Sequence, residues 1–274
     1  MIDYIGLRKY YYIFSGLLLT VSIFALLTFK LNVGIDFLGG TNWLVTTTAT
    51  NAELEKIITD AQIEIQRINT IEGDTLLSLA PISVNQKNSL VQQFKISDPT
   101  FVEKSFETLG PSLGRELLIK TLIAVALASL VIMSYVSYQF SESVFGITAI
   151  IAMLHDVLIL LGSFSILGHF YGVQVDSLFV TALLITLSFS VHDTVVVFDR
   201  FREVRGTSSK LPLNEQINLA INSTMVRSIN NSISTVFMLL AVFLLGGVTI
   251  KWFVLALLIG IVIGTYSYHL FLLH

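Results

Sequence analysis

Six stretches of this chain are apolar for long enough to cross a lipid bilayer, which takes roughly 20 mainly apolar residues. They are Tyr12–Phe29, Leu117–Tyr135, Val144–Leu167, Leu178–Phe198, Ile229–Leu245 and Trp252–Leu273. Between the first and second lies the long polar part of the chain, residues 30–116. There Trp43–Thr48 alternates like a strand, and Ala52–Ile65 repeats its apolar positions at helical spacing. Thr75–Ala80 and Leu90–Ile96 read as two strands across the polar turn Asn85–Ser89, and Ser97-Asp98-Pro99 reads as the cap of a helix running to about Leu109. The expected architecture is a six-helix transmembrane bundle carrying an α+β domain of βαββα order, ferredoxin-like in class. Its parts are residues 1–29 (N-terminus and first span), 30–116 (outer domain) and 117–274 (spans two to six, with a cytoplasmic loop at about 199–226).

Composition agrees with lipid as the solvent. Only 13% of the 274 residues are charged against 54% hydrophobic, and mean hydropathy is +0.78; soluble domains carry about 25% charged residues. A net charge of -3 without a long basic block argues against nucleic acid as a partner. The chain has no cysteine, which excludes disulfides and thiolate-bound zinc. Arg8 and Lys9 precede the first span, whose apolar run exceeds that of a signal peptide, so it reads as retained. Arg200, Arg202, Arg205 and Lys210 lie between the fourth and fifth spans. The positive-inside rule puts both groups, and with them both termini, in the cytoplasm, and the polar domain outside.

Several polar residues interrupt the apolar spans. Asp193 is the sharpest, because a carboxylate within a span costs about 2.5–3.5 kcal/mol. It is a functional group, half of a structural ion pair, or a solvated residue near the cytoplasmic edge. On the fifth span Arg227, Asn230, Asn231, Ser234 and Thr235 form one stripe at helical spacing. Lipid cannot satisfy such a stripe, so it should face protein or a water-filled path, with Arg227 as counter-charge to Asp193. The alternative is an arginine that snorkels to the cytoplasm. His192 and the His155-Asp156 pair raise the possibility of metal ligation, but adjacent helical positions point about 100° apart, and there is no HExxH motif. Hydrogen bonding inside the bundle is the plainer role for His155 and Asp156. Gly260 and Gly264 form a GxxxG pair suited to close helix packing.

Five motifs together carry a family resemblance: "VGIDFLGGTNW" (Val33–Trp43), "GPSLGREL" (Gly110–Leu117), "LHDVLILLG" (Leu154–Gly162), "SFSVHDTVVVFDRFRE" (Ser188–Glu203) and "RSINNSIST" (Arg227–Thr235). In this order they resemble the SecF family of the resistance–nodulation–division superfamily, over nearly the whole chain. The resemblance implies a non-enzymatic subunit of the bacterial Sec export machinery in the inner membrane. The same resemblance implies that no cofactor is used and that a proton gradient supplies the energy. The implied partners are a SecD-like subunit, the SecYEG channel, YajC and the translocating polypeptides, all within membrane lipid. It also implies a proton relay of Asp193, Arg227, His192, Asn230 and Asn231, with His155, Asp156 and Ser234 as secondary polar positions. Gly34, Asp36, Gly39 and Gly40 are taken as a structural hinge where the chain leaves the membrane. Two departures stand out: His192 occupies a position where the family usually has asparagine, and Asn231 one where many relatives carry threonine. The competing readings are a passive intramembrane scaffold and a metal-dependent hydrolase.

Overall fold

A computed structural model of the chain describes residues 3–71, 73–139, 143–208 and 210–272. Two compact units emerge, one formed by Met1–Asn32 with Ala124–His274 and the other by Val33–Ile123.

The helical unit contains α1 (Tyr4–Thr28), and the α+β unit follows with a single turn, α2 (Ile35–Leu38), then β1 (Gly40–Thr46), α3 (Asn51–Asp60), β2 (Ile65–Ile71), β3 (Asp74–Leu79), α4 (Val84–Ser97) and β4 (Val102–Leu109). The long helices α5 (Pro111–Gln139), α6 (Ser143–Tyr171), α7 (Ser177–Thr207), α8 (Leu213–Leu245) and α9 (Val248–Leu272) complete the chain. Six helices, α1 and α5 to α9, are long and apolar enough to cross a membrane. Leu273, the last residue of the sixth expected span, lies outside the described residues, as do Met1 and His274.

Most of these helices extend beyond the apolar runs that mark them in the sequence. Helix α1 starts at Tyr4 because Asp3 caps it, accepting from the Gly6 amide at 3.1 Å, while Asn218 of α8 accepts from the Tyr4 amide at 2.9 Å. The expected cytoplasmic loop at 199–226 is mostly helix: α7 runs on to Thr207 and α8 begins at Leu213. The arginines that suggested a loop sit on helix, where Arg200 pairs with Glu203 and Arg202 with Asp199 one turn away.

The α+β unit is one antiparallel sheet in the order β2-β3-β1-β4. Trp43 and Val45 of β1 with Leu77 and Leu79 of β3 form the sheet side of its core. Leu54 and Ile58 of α3 and Leu90 and Phe94 of α4, each pair spaced i, i+4, form the helical side.

The α+β class holds, and β1, α3, β2, β3 and α4 keep the βαββα order with β4 added, but the residues that form the second half differ from those expected. Residues Leu90–Ile96, expected as a strand, belong to α4, and most of the expected final helix is β4. The expected turn is the first part of α4, because Ser83 and Gln86 form a capping box in which each side chain bonds the other's backbone amide. Asp98 closes α4 instead of opening a helix. Its carboxylate accepts from Thr47 Oγ1 and the Thr48 amide, both at 2.6 Å, and from the Thr100 amide and hydroxyl at 2.9 and 2.5 Å. Strand β2 was not anticipated.

The motif at Gly34–Gly40 is a packed corner within this unit. Gly39 has φ +77°, and a Cβ there would meet the backbone of Pro111 at 2.7 Å. A Cβ on Gly114 would meet the Gly39 amide nitrogen at 2.7 Å. Only glycine fits at either position.

The Thr100 and Thr47 hydroxyls, followed by the backbone amides, hold the Asp98 carboxyl well below the usual carboxylate range. Its contribution to stability is therefore complete at neutral pH and is lost as pH falls through the ordinary carboxylate value of about 4 and further. In a Trp252→Phe background Trp43 reports on this unit. Asp98→Asn should lower the denaturant midpoint of its fluorescence at neutral pH, and the gap to wild type should shrink in acid.

Candidate functional site

Helices α7 and α9 approach each other at glycine. A Cβ on Gly260 would lie 2.1 Å from Thr186 Oγ1 and 2.9 Å from its Cβ, and a Cβ on Gly264 would lie 3.7 Å from Ser190 Cα. Both pairs keep one offset along two parallel helices, and three more residues bring Asp193 level with Ser267. Among the described residues, Thr186 Oγ1 and Ser190 Oγ are buried without a hydrogen-bond partner.

At the level of Ser267 the bundle holds a buried polar network. Ser267 Oγ donates to Asp156 Oδ2 at 2.8 Å, and His155 Nδ1 lies 2.9 Å from Asp156 Oδ1. His155 Nε2 lies 2.6 Å from Ser15 Oγ and 3.2 Å from the Tyr266 hydroxyl. The network thus ties α1, α6 and α9 together, and Asp156 is fully buried within it. A neutral imidazole with its proton on Nδ1 satisfies it: the ring donates to Asp156 and accepts from a hydroxyl at Nε2. The order Ser15–His155–Asp156 matches that of a hydrolytic triad, but Ser15 is itself buried in the helix packing and offers no approach to a substrate. Among the described residues no three His, Cys, Asp or Glu side chains gather as metal ligands.

Asp193 differs from Asp156 in one respect that matters. It is 7% exposed, yet among the described residues its carboxyl forms no hydrogen bond or ion pair. It follows the start of α7 by sixteen residues and precedes its end by fourteen, about 24 and 21 Å along the axis. The two carboxylates share a depth, one fully partnered and one bare.

Among the described residues the expected Asp193–Arg227 pair does not appear. Arg227, Asn230, Asn231 and Ser234 lie on the exposed face of α8, and the face that packs into the bundle is Gln216, Ala220, Thr224, Ser228 and Ser232. Every fourth residue of α8 is thus small or polar on the inward stripe, and small residues admit closer packing than an arginine stripe would. Adjacent helical positions point about 100° apart, so seating Ser228 inward turns Arg227 outward. His192 is exposed for the same reason, with Asp193 beside it buried.

The network residues Ser15, Tyr266 and Ser267 and the bare hydroxyls of Thr186 and Ser190 were not singled out by spacing. Serine, threonine and tyrosine are common in spans, and only the packing of the helices decides which of these meet a partner. The signal available was the second small-polar stripe on α8, one residue out of phase with the arginine stripe.

A family model described as protein export membrane protein SecD/SecF, C-terminal, matches residues 89–272. The protein translocase subunit SecF of Thermobaculum terrenum is 41% identical over 286 residues, covering 97% of this chain and 90% of that protein. That of Anaerolinea thermophila is 35% identical over 279 residues, with the same shares covered. Among solved structures, SecDF from Thermus thermophilus, a translocon-associated membrane protein, matches with a TM-score of 0.89 at 29% identity over 99% of this chain. The chain spans 38% of the length of that protein. Six apolar helices and these matches define a multi-pass membrane protein of the protein-export class. The chain belongs to the SecD/SecF family, as a SecF translocase subunit.

The contact of Gly260 with Thr186 has a measurable consequence. Gly260→Ala should lower thermal stability in detergent by about 1–3 kcal/mol, the range for overpacking a close contact. Thr186→Ala alone should be nearly neutral, since it removes a buried hydroxyl that has no partner. The double variant should recover part of the loss; equal stability of Gly260→Ala and wild type would argue against the close approach.

Proposed function

We propose that this chain is the proton-coupled SecF half of an export device that works with a SecD-like subunit beside the SecYEG channel, with YajC as a further contact. The observation that carries the reading is the bare carboxyl of Asp193, buried in the middle of α7. A dry carboxyl is stable when neutral, and hydration or a nearby cation favours its ionised form. A group held between those states can take up a proton from one side of a membrane and release it to the other. The available drive is about 2.3 kcal/mol per charge per 100 mV, comparable to the cost of holding one charge in a span.

The outward stripe of α8 supports the need for a second half. Arg227, Asn230 and Asn231 point away from the bundle where the fifth apolar run begins, and lipid against that face would supply no hydrogen bonds. A SecD-like subunit seated there would satisfy them and bring a cation close to the seam that Asp193 adjoins. Arg227 is then a counter-charge across that seam. The fully bonded His155–Asp156 network suits the scaffold role, so both kinds of buried acid have a place in one subunit. The orientation that accompanies this reading has both termini in the cytoplasm of the inner membrane and the α+β unit outside. The outer domain then moves or holds the emerging polypeptide, and no bond of the substrate is made or broken.

Two measurements test this. Reconstituted with its SecD-like partner and the channel, Asp193→Asn should assemble normally but lose the stimulation of export by a proton gradient. Full gradient stimulation in that variant would leave the structural reading standing. For orientation, cysteines at Asn85, exposed at the start of α4, and at Gly206, where a side chain meets nothing within 4 Å, should react with impermeant reagents from opposite sides of the membrane. Reaction from one side would overturn the topology.

A further inference from the structure

Helix α1 changes neighbour along its length. At its start the Tyr4 amide donates to Asn218 of α8 at 2.9 Å, and the Tyr4 hydroxyl reaches Met225 Sδ on the same helix. From Ser15 onward α1 follows α6 instead. Ser15 Oγ lies 2.6 Å from His155 Nε2, a Cβ on Gly162 would overlap Ser22, and Ser165 Oγ donates to the Ala25 carbonyl at 2.9 Å. The divergence opens a wedge between α1 and α8, floored by α9. A cavity of about 500 Å³ occupies it, lined by Tyr11 of α1, by Ile229, Ile233, Val236 and Phe237 of α8, and by Val262 of α9. The hydroxyls on its wall are already engaged: Ser232 Oγ lies 2.7 Å from Thr265 Oγ1, and the Tyr266 hydroxyl 3.2 Å from His155 Nε2. Ile233, Phe237 and Val262 are exposed along its mouth, so the groove is apolar and open at the side.

Its length and the charges at one end define an occupant. Ile229 and Phe237 are eight residues apart, about 12 Å along α8, close to the ~15 Å that one leaflet contributes to the hydrocarbon core. The end at Tyr11 and Ile229 lies where the apolar runs of α1 and α8 begin, and Arg8 and Lys9 immediately precede it. Tyr4, Arg8 and Tyr11 fall at i, i+4 and i+7 on one face of α1, which puts Arg8 at the narrow end of the wedge. Both cations are exposed, and neither forms an ion pair among the described residues. Tyr10, Tyr11 and Tyr12 at this level suit the headgroup boundary. The outward polar stripe of α8 does not use this face. Asn231 is two residues from both Ile229 and Ile233, about 200° around the helix, so a partner seated on the stripe leaves the groove open.

We propose that this wedge binds one anionic phospholipid, with an acyl chain lying along α8 between α1 and α9 and the phosphate held by Arg8 and Lys9. The bonded wall selects hydrocarbon over a polar ligand, and the cationic end selects a charged headgroup over a neutral one. The bound chain fills the space left where α1 crosses from α8 to α6. The site stands whether or not Asp193 carries protons.

Quenching by brominated phospholipids tests it. In a Trp252→Phe background, Phe237→Trp places a reporter on the groove and Leu127→Trp places one on the exposed surface of α5. Trp43, buried in the core of the α+β unit, adds a constant background. Each variant is reconstituted with the SecD-like partner in bilayers of phosphatidylcholine and phosphatidylglycerol, with one of the two lipids brominated. At Phe237→Trp, phosphatidylglycerol should compete about tenfold or more better than phosphatidylcholine, while at Leu127→Trp the two should compete equally. Adding Arg8→Gln and Lys9→Gln should bring the groove ratio to about one and leave the control unchanged. Adding Val262→Phe should reduce quenching by either lipid at the groove alone. Equal competition at both reporters with Arg8 and Lys9 in place would make the groove lipid ordinary boundary lipid, and the site falls. Quenching at the groove in the chain alone that vanishes in the complex would show a partner helix covering it, and the lipid assignment falls too.

Discussion

Lipid forms no hydrogen bonds, so every polar group held at mid-depth must be met by protein or by water that the protein admits. That constraint sorts most polar residues of the bundle into three sets. Ser15, His155, Asp156, Tyr266 and Ser267 meet one another across α1, α6 and α9. Ser165 does the same on a smaller scale, bridging the carbonyls of Ala25 and Lys30 at 2.9 and 2.7 Å. Thr224, Ser228 and Ser232 line the inward stripe of α8, small enough to let it pack closely. His192, Arg227, Asn230 and Asn231 point outward and are left for a partner.

The bare groups concentrate on α7. Thr186, Ser190 and Asp193 follow one another at i, i+4 and i+7, on the side of the helix that meets α9, and none of their side-chain polar atoms forms a hydrogen bond among the described residues. Glycine on α9 explains how the chain tolerates the first two. With Gly260 and Gly264 opposite, α7 and α9 come close enough for dispersion contacts to offset part of the cost of two unbonded hydroxyls. The contrast with α6 decides which acid can change charge. Removing or adding a proton at Asp156 disturbs bonds to two partners on two helices. At Asp193 it disturbs none.

What the sequence made legible follows from how local the physics is. Six spans could be read because their signal is summed over twenty residues, and the polar stretch between the first two was plain by composition. Helix ends were not, because α1 begins where Asn218, more than 200 residues away, receives its first amide. In the outer unit, Leu90, Val91, Phe94 and Ile96 fit a short strand or one face of a helix, and a capping box at Ser83–Gln86 decided for the helix. Strand β4 buries little of its surface, so its pattern was faint. Asp193 stands out in the sequence because one carboxyl in an apolar run needs no packing information, and the structure buries it. The outward placement of Arg227 is not legible there, because spacing shows which residues share a face and never which face turns inward.

The outward patch also bears on what the isolated chain can be. An arginine carried into a lone span costs up to about 2.5–3.5 kcal/mol on insertion scales, and two asparagines and an imidazole add their own polar groups to the same exposed faces. A partner that supplies acceptors at the same depth recovers that cost, while one that presents only leucine does not. The residues that make the single half unfavourable in lipid therefore make pairing selective, because the wrong partner leaves charges and amides unsatisfied. Selectivity and coupling then share one surface: a proton arriving at that seam changes the charge of the face on which the halves recognise each other. A change in protonation there necessarily shifts the balance between arrangements of the two halves that differ in how well they satisfy the patch.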